Sequence, residues 1–461
     1  MSEDSKTQID TKNECMLWKV DMMKQAVEAG LVSEDVPLAF FWNLTEFQKQ
    51  IQELKAAFPS HWLHTVATKA NPLQRIILAA REAGAGAEGA SIGEMTLAMN
   101  IHEPANIMLD SPAKTKREIY TALCAGVGLT LDNESELERV AKIRDTVIAE
   151  GRAITSVMGI RINPQIGTGR IATFSVSKKY SKFGVPIERR EALLAAYRNY
   201  PFLNMVHVHA GSQSYTLEQI AGAIRIAVDF ANEVNAERAA EGKPPQVTVI
   251  DIGGGLTVNF ATEENTPSFA EWRKVLEEHV PELFTGEVYK KVITEYGRRL
   301  LAKQGVIVSR IEYTKVAGGR RIVLQHAGAD VCVRTVYRGE AWPLRISAFN
   351  TSGNYLPPAS EEELKTILPA DVAGPCCIED TLTPNLRNLP EVHEGDYLMI
   401  HDTGAYFHSS WSYYNCRLAP ALYCFYEPRE GEKIHFETIR PMGTLDECLS
   451  FFQTTGDAKR N

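Results

Sequence analysis

One lysine, Lys69, lies in TKANP, between the β-like run WLHTVAT and the helix-like run NPLQRIILAAREAG. An amine at the end of a strand can capture an aldehyde as an imine; on position alone it reads as a solvated surface group. VHVHAGSQ ends a second β-like run with His207 and His209, which strand alternation sends to one face. His209, nearer the strand end, is placed to stack on a flat ring, whereas His207 could be a satisfied core histidine; Gly211 and Ser212 follow. In DIGGGL, Gly253, Gly254 and Gly255 either make a tight turn or offer backbone N–H groups to a phosphate. ITEYGRRL puts Glu295 three residues before Arg298. That pair is either a surface ion pair of little consequence, or a carboxylate for a protonated ring nitrogen beside a guanidinium for a phosphate. GPCCIED carries the vicinal Cys376 and Cys377, and DTGAYF carries Tyr406. Adjacent thiols are inert small hydrophobes unless a polar setting activates one.

These residues need elements to hold them. Between about residues 38 and 300, short β-rich runs alternate with amphipathic helical ones: LAFFW with LTEFQKQIQELKAAF, then WLHTVAT, GAGAEGAS, NIMLD, VGLTLD, SVMGIRIN, NMVHVHA, QVTVIDIGGG and VYKKVITEYG. Phe47, Ile51, Leu54 and Phe58 recur at helical spacing. Strands alternating with helices imply βαβ units and a parallel sheet, and about eight such units match a closed (β/α)8 TIM-type barrel. LAFFW is expected to be its first strand. Past residue 300 the runs GVIVSRIEYTKVAGGRRIVLQHA, AWPLRISAFN, DYLMIHDTGAYF and APALYCFYE read as strands with polar turns. The expected division is an N-terminal segment (1–37) packing on the β domain, a barrel (38–300) and a β-rich C-terminal domain (301–461).

Composition narrows the function. With 44% hydrophobic and 23% charged residues, the 461-residue chain has ample material for a core. A net charge of -9 without a basic block argues against nucleic acid or an anionic membrane as partner. The first fifteen residues are polar, and no apolar stretch is long enough to span a bilayer. Eight cysteines without a CxxC pair make a disulfide framework or a structural zinc site an unsuitable reading. The expectation is a cytoplasmic protein with no metal.

Jointly, Lys69, His209 with Ser212, the glycine run, Glu295 with Arg298, Cys377 and Tyr406 strongly resemble the fold-type III pyridoxal-phosphate decarboxylases. That family includes ornithine, diaminopimelate and arginine decarboxylases and shares its barrel with alanine racemase. The runs GAEGASIGE, RINP, SKFG and EGDYLMI agree, and the likeness extends from Val36 to about Tyr426. The resemblance implies pyridoxal 5'-phosphate as cofactor, a Schiff base on Lys69 and His209 stacked on the ring. It implies Glu295 at the pyridine nitrogen, and Ser212, Gly254, Gly255, Arg298 and Tyr406 at the phosphate. Carbon dioxide would leave from an amino-acid substrate, a quinonoid carbanion would form, and Cys377 would reprotonate it. That cysteine would reach across from the partner subunit of a homodimer whose active sites lie at the interface. Candidate substrate contacts are Arg161, Arg334, Tyr337, Arg338, Glu379 and Tyr406, for meso-diaminopimelate, D-ornithine, D-lysine or a biosynthetic amino acid. Racemases of this barrel place an arginine at the ring nitrogen, so Glu295 argues for decarboxylation. Regulatory relatives without cofactor lose the lysine, glutamate or cysteine, and all three are present here.

Four departures bear on the substrate. The family's EPGR reads EYGR, with Tyr296 in second place. Val333 stands where diaminopimelate decarboxylases carry the arginine of RxxxY; Arg334 comes one residue later, and in a strand it would point to the other face. Ile378 replaces the glutamate after the cysteine, followed by Glu379 and an early Asp380. Arg338 stands where ornithine decarboxylases have an aspartate. Counting forward from Gly374 and Pro375 selects Cys377 as the acid; counting back from Asp380 selects Cys376.

Overall fold

A computed structural model describes residues 14–172, 175–339, 341–386 and 388–453. Positions 1–13 of the polar start and 454–461 of the C-terminal domain lie outside them.

The run LAFFWN forms strand β1 (Leu38–Asn43), but not in the barrel. The barrel strands are β2 (Trp62–Ala67), β3 (Gly86–Gly89), β4 (Ile107–Asp110), β5 (Gly128–Leu131), β6 (Met158–Asn163), β8 (Met205–Val208), β9 (Val249–Asp251) and β10 (Lys291–Tyr296). All pair in parallel in that order, and β10 closes the ring on β2; the short β7 (Val185–Pro186) adds to β6. Helix starts are written into the sequence as capping boxes: Thr115 with Glu118, Thr216 with Gln219, and Ser268 with Glu271. The helix Leu217–Ala240 turns Ile220, Ile224, Ala227 and Ala231 inward at helical spacing, so one face is apolar and buried. This unit comprises Glu46–Asn259 and Asn265–Leu301.

The second unit takes in the chain through Thr45, Phe260–Glu264 and everything from Ala302. β1 pairs antiparallel with β11 (Gly305–Ala317) and parallel with β18 (Ala421–Phe425). Around them run β13 (Ile346–Phe349), β14 (Tyr355–Leu356), β17 (Tyr397–Ile400) and β19 (Phe436–Arg440). β12 (Arg320–Gln325), β15 (Ala370–Ala373) and β16 (Thr381–Leu386) extend from β11. The expected barrel start at residue 38 is therefore corrected. All six β1 residues are buried, so no polar alternation reveals which sheet they join. The helix Leu44–Ala57 after β1 completes a βα signature that either unit can use.

In the core of this unit, Met22, Met23 and Ala26 of the helix Glu14–Glu28 pack with Phe41, Val306, Val308, Phe349, Met399 and Phe425. Lys19 of that helix is buried, with its Nζ 2.5 Å from Glu263 Oε2 and 3.3 Å from His401 Nδ1. Arg345 binds Glu263 Oε1 at 2.5 Å and both oxygens of Asp402, and Lys303 reaches Asp402 at 3.4 Å. Among the described residues no helix is long and apolar enough to cross a membrane.

Candidate active site

Inward-facing residues near the C-terminal ends of the barrel strands form one charged cluster, the end where barrel enzymes keep their chemistry. Lys69 follows β2 in the turn Thr68–Ala70, and its Nζ lies 2.5 Å from Glu88 Oε2 on β3. Asp110 ends β4 and pairs with Arg161 of β6 at 2.7 Å. His207 of β8 places Nε2 3.4 Å from Glu295 Oε2 on β10, and Asp251 ends β9. Glu88, Asp110, Asp251 and Glu295 are all buried, and each keeps one carboxylate oxygen without a hydrogen-bond partner: Oε1, Oδ1, Oδ2 and Oε1 respectively.

The environment separates these acids. Burial, with Glu295 and Asp110 nearby, pushes Glu88 up to about 8 against the pull of Lys69. Burial and Glu295 likewise drive Asp251 well above the ordinary carboxylate range. Burial opposes ionisation of Asp110 too, but Arg161 and His207 overcome it and hold Asp110 low. Glu295 is held below its usual value in the same way, burial being outweighed by His207. Burial, then Arg161, lowers His209 to about 3, so its ring is neutral. His209 Nδ1 accepts a hydrogen bond from the Gly254 N–H at 3.0 Å, which leaves the proton on Nε2 and fixes the ring plane.

Glycine is required where two loops meet. Gly255 has φ +112°, and a Cβ there would stand 2.1 Å from the Gly211 carbonyl oxygen; at Gly254 it would meet the Glu295 carbonyl oxygen at 2.2 Å. Ser212 lies in the first of these loops, half-buried, and Arg298 is buried directly after β10. The amide-cradle reading of the glycine run is corrected in part. The Gly253 N–H donates to Asp251 Oδ1 and the Gly254 N–H to His209 Nδ1, so those two are turned to protein acceptors. Tyr296, in place of the family proline, is buried and its hydroxyl accepts from Trp272 Nε1 at 2.7 Å. Arg161 is engaged by Asp110 and lies 4.5 Å from the Phe183 ring centroid.

The sheet unit holds the remaining candidates. Residues Val333–Arg338 form a short helix, which corrects the strand reading of Arg334. Its guanidinium lies over the Tyr406 ring at 4.6 Å and the Trp342 ring at 5.9 Å. Tyr337 and Arg338 are exposed on that helix, and Glu379 is exposed too. Tyr406 has φ +67°, a left-handed conformation that non-glycine residues adopt only where their surroundings impose it. The early Asp380 has a local cause: its carboxylate accepts from the Cys376 N–H at 2.9 Å and its carbonyl from the Gly374 N–H at 2.7 Å. Cys376 is thereby turned inward, 3.7 Å from Asp330 Oδ1, and burial with Asp330 and Asp380 pushes its thiol up to about 12. Cys377 faces outward and is exposed; its N–H is held by Asn415 Oδ1 at 3.0 Å.

Comparison with known proteins decides the family. Residues 44–302 match the pyridoxal-binding domain of pyridoxal-dependent decarboxylases, and residues 230–404 match their C-terminal sheet domain. The chain belongs to the pyridoxal-dependent decarboxylases. It is 29% identical over 385 residues to a diaminopimelate decarboxylase of Helicobacter pylori, covering 82% of this chain and 87% of that one. It is 25% identical over 382 residues to the Aquifex aeolicus diaminopimelate decarboxylase, covering 82% and 84%. The structure of the Helicobacter pylori diaminopimelate decarboxylase complexed with L-lysine superposes with a TM-score of 0.74 at 26% identity, covering 90% of this chain and 96% of that one.

The cofactor of a pyridoxal-dependent decarboxylase fits the barrel site. An amine follows one strand, a neutral imidazole with a fixed plane follows another, and a buried ionised carboxylate has one oxygen unmatched by protein. A glycine-lined loop pair that any side chain would fill lies beside a buried arginine. Sequence reasoning passed over Glu88, Asp110 and Asp251. The available signal was a lone acid near the end of an otherwise apolar strand, in GAEG, NIMLD and VTVID.

Proposed function

We propose that this decarboxylase acts on a diamino acid whose far end carries a carboxylate, and that it works as a homodimer in the cytosol. The observation that carries the reading is the barrel cluster, with Lys69 on Glu88 and an ionised Glu295 whose Oε1 has no protein partner. Bound pyridoxal phosphate supplies a sink for the electron pair left when the carboxylate departs.

The chain's own residues do the rest. Lys69 would hold the cofactor by its aldehyde, and Glu88, 2.5 Å away and pushed up to about 8 by burial, would exchange a proton with the Lys69 amine. Glu295, held below its usual value by His207, would keep the ring nitrogen of the bound cofactor protonated. His209 would pack on the cofactor ring, and Ser212, Gly255 and Arg298 would hold its phosphate, with Gly254, whose N–H is engaged by His209, leaving room beside them. Cys377 delivers the final proton to the substrate carbon from a second copy of the chain, consistent with an outward-facing thiol on a pinned loop. Arg334, held against Tyr406 and Trp342, reads the far carboxylate; the exposed Arg338 is less suited. The diaminopimelate decarboxylases among its relatives support this substrate class.

A panel of L-, D- and meso-amino acids, assayed by released carbon dioxide, tests the proposal. Release should be fastest from meso-diaminopimelate and its analogues and should fall when the distal carboxylate is removed, as in lysine. Turnover of lysine or ornithine with no turnover of the dicarboxylates would overturn the substrate assignment.

A further inference from the structure

His207 is completely buried on β8, and the resemblance gives it no role. Its Nε2 faces two acceptors, Glu295 Oε2 at 3.4 Å and Asp110 Oδ2 at 4.0 Å, so Nε2 carries a hydrogen. Its Nδ1 is buried without a hydrogen-bond partner. Asp110 cannot swing away, because Arg161 grips it at 2.7 Å. A carboxylate oxygen of Asp110, one of Glu295 and a ring nitrogen of His207 all lie within 4.8 Å of one another. The surrounding charges are Glu88, Asp251 and Lys69 from three other strand ends, with Arg161 beyond Asp110.

We propose that His207 is the positioning residue for Glu295: it holds Oε2 and so turns Oε1 toward the cofactor's ring nitrogen. This rests on the reading that Glu295 faces that nitrogen. Arg161, Asp110, His207 and Glu295 come from four strands: the Arg161–Asp110 ion pair lies 4.0 Å from Nε2 on one side, and Glu295 Oε2 is 3.4 Å away on the other. A carboxylate bound at one oxygen cannot rotate or recruit the proton of Asp251, and its negative charge stays where the ring needs it. An imidazole merely filling the barrel would do none of this.

The test compares His207→Leu, which fills the space without a donor, with His207→Gln, whose amide N–H can reach the place of Nε2. Each holoenzyme is loaded with cofactor labelled with ¹⁵N in the ring, and the ring-nitrogen chemical shift is followed against pH. Cofactor retention on dialysis and the thermal midpoint are measured alongside. Wild type and His207→Gln should keep the ring nitrogen protonated through the neutral range. His207→Leu should lose that proton at least about one pH unit lower and lose roughly 10- to 100-fold in kcat, with KM little changed, as misplacement of a supporting group does. A leucine variant that titrates like wild type, while Glu295→Gln does not, would reduce His207 to packing. If Glu295→Gln also titrates like wild type, the assignment of Glu295 fails, and the inference fails with it. Should the leucine variant not fold, His207→Asn, too short to reach Glu295, takes its place with the same outcomes.

Discussion

The chain buries two clusters of charge, and they are built to opposite rules. In the sheet unit, Lys19, Lys303 and Arg345 meet Glu263 and Asp402, and every carboxylate oxygen has a cationic or imidazole partner. In the barrel, Glu88, Asp110, Asp251 and Glu295 each keep a buried oxygen with no partner. Leaving a buried acceptor unmatched costs about 1–3 kcal/mol, so four such atoms in one place mark a site arranged for something other than stability. The sheet cluster, its carboxylates matched, fastens the helix Glu14–Glu28 and the segment Phe260–Glu264 to the sheet; the barrel cluster, its carboxylates unmatched, is ready for a ligand.

This contrast can be broken. Lys69→Ala should lower turnover by on the order of 10⁴-fold or more, as loss of a covalent anchor does, and should abolish the visible absorbance of the bound cofactor. The thermal midpoint of the cofactor-free protein should hardly move; a large loss of stability would mean that the barrel cluster is structural after all. Cys377→Ala should cost on the order of 10² to 10⁴ in rate while cofactor binding stays intact, and Cys376→Ala should stay close to wild type. Because Cys377 is proposed to serve the other subunit, mixing Lys69→Ala with Cys377→Ala chains should restore activity in one of the two hybrid sites. No recovery, with subunit exchange verified, would place both residues in one chain's site.

A further substitution acts on stability alone. Lys19→Met leaves Glu263 buried beside a neutral side chain and should cost about 3–5 kcal/mol, with the ring-nitrogen titration unchanged. The pH dependence follows from the Glu263 carboxyl, which burial would raise but which Lys19, His401 and Arg345 hold far below its ordinary value. A depressed folded-state value stabilises above the unfolded value and is lost as pH falls toward the folded one. Wild type should therefore lose stability below about pH 4.3, the ordinary glutamate value, and Glu263→Gln should flatten that acid limb in a thermal melt.

Much of the barrel is legible in the sequence because each βα unit is local: an apolar run, a cap and an amphipathic helix. Lys69 and Glu295 stand out because each is a charge at the end of such a run. Strand β1 is illegible for the opposite reason, since its partners are remote and both of its faces are buried. Glu88 and Asp110 look like ordinary strand residues until ring closure brings their strands together around Lys69 and His207. The setting of Arg334 is illegible in the sequence because a six-residue helix has no room to show a period. The count from Gly374 and Pro375 does pick the thiol that the structure exposes, because those two residues fix the entry to the loop and Asp380 absorbs the shortening.

The placement of β1 also sets a condition on how the protein is made. Ala39 pairs with Ala421 and Val308, so this strand, apolar from Leu38 to Trp42, leaves the ribosome long before either partner has been synthesised. Through most of translation it is an open, sticky edge, the kind of segment that seeds aggregation or recruits a chaperone. The barrel needs only strands Trp62 to Tyr296 to close, so it can form on the ribosome while β1 waits. Yield of active protein should then depend on how well this strand is shielded until Gly305–Ala317 and Ala421–Phe425 have been made.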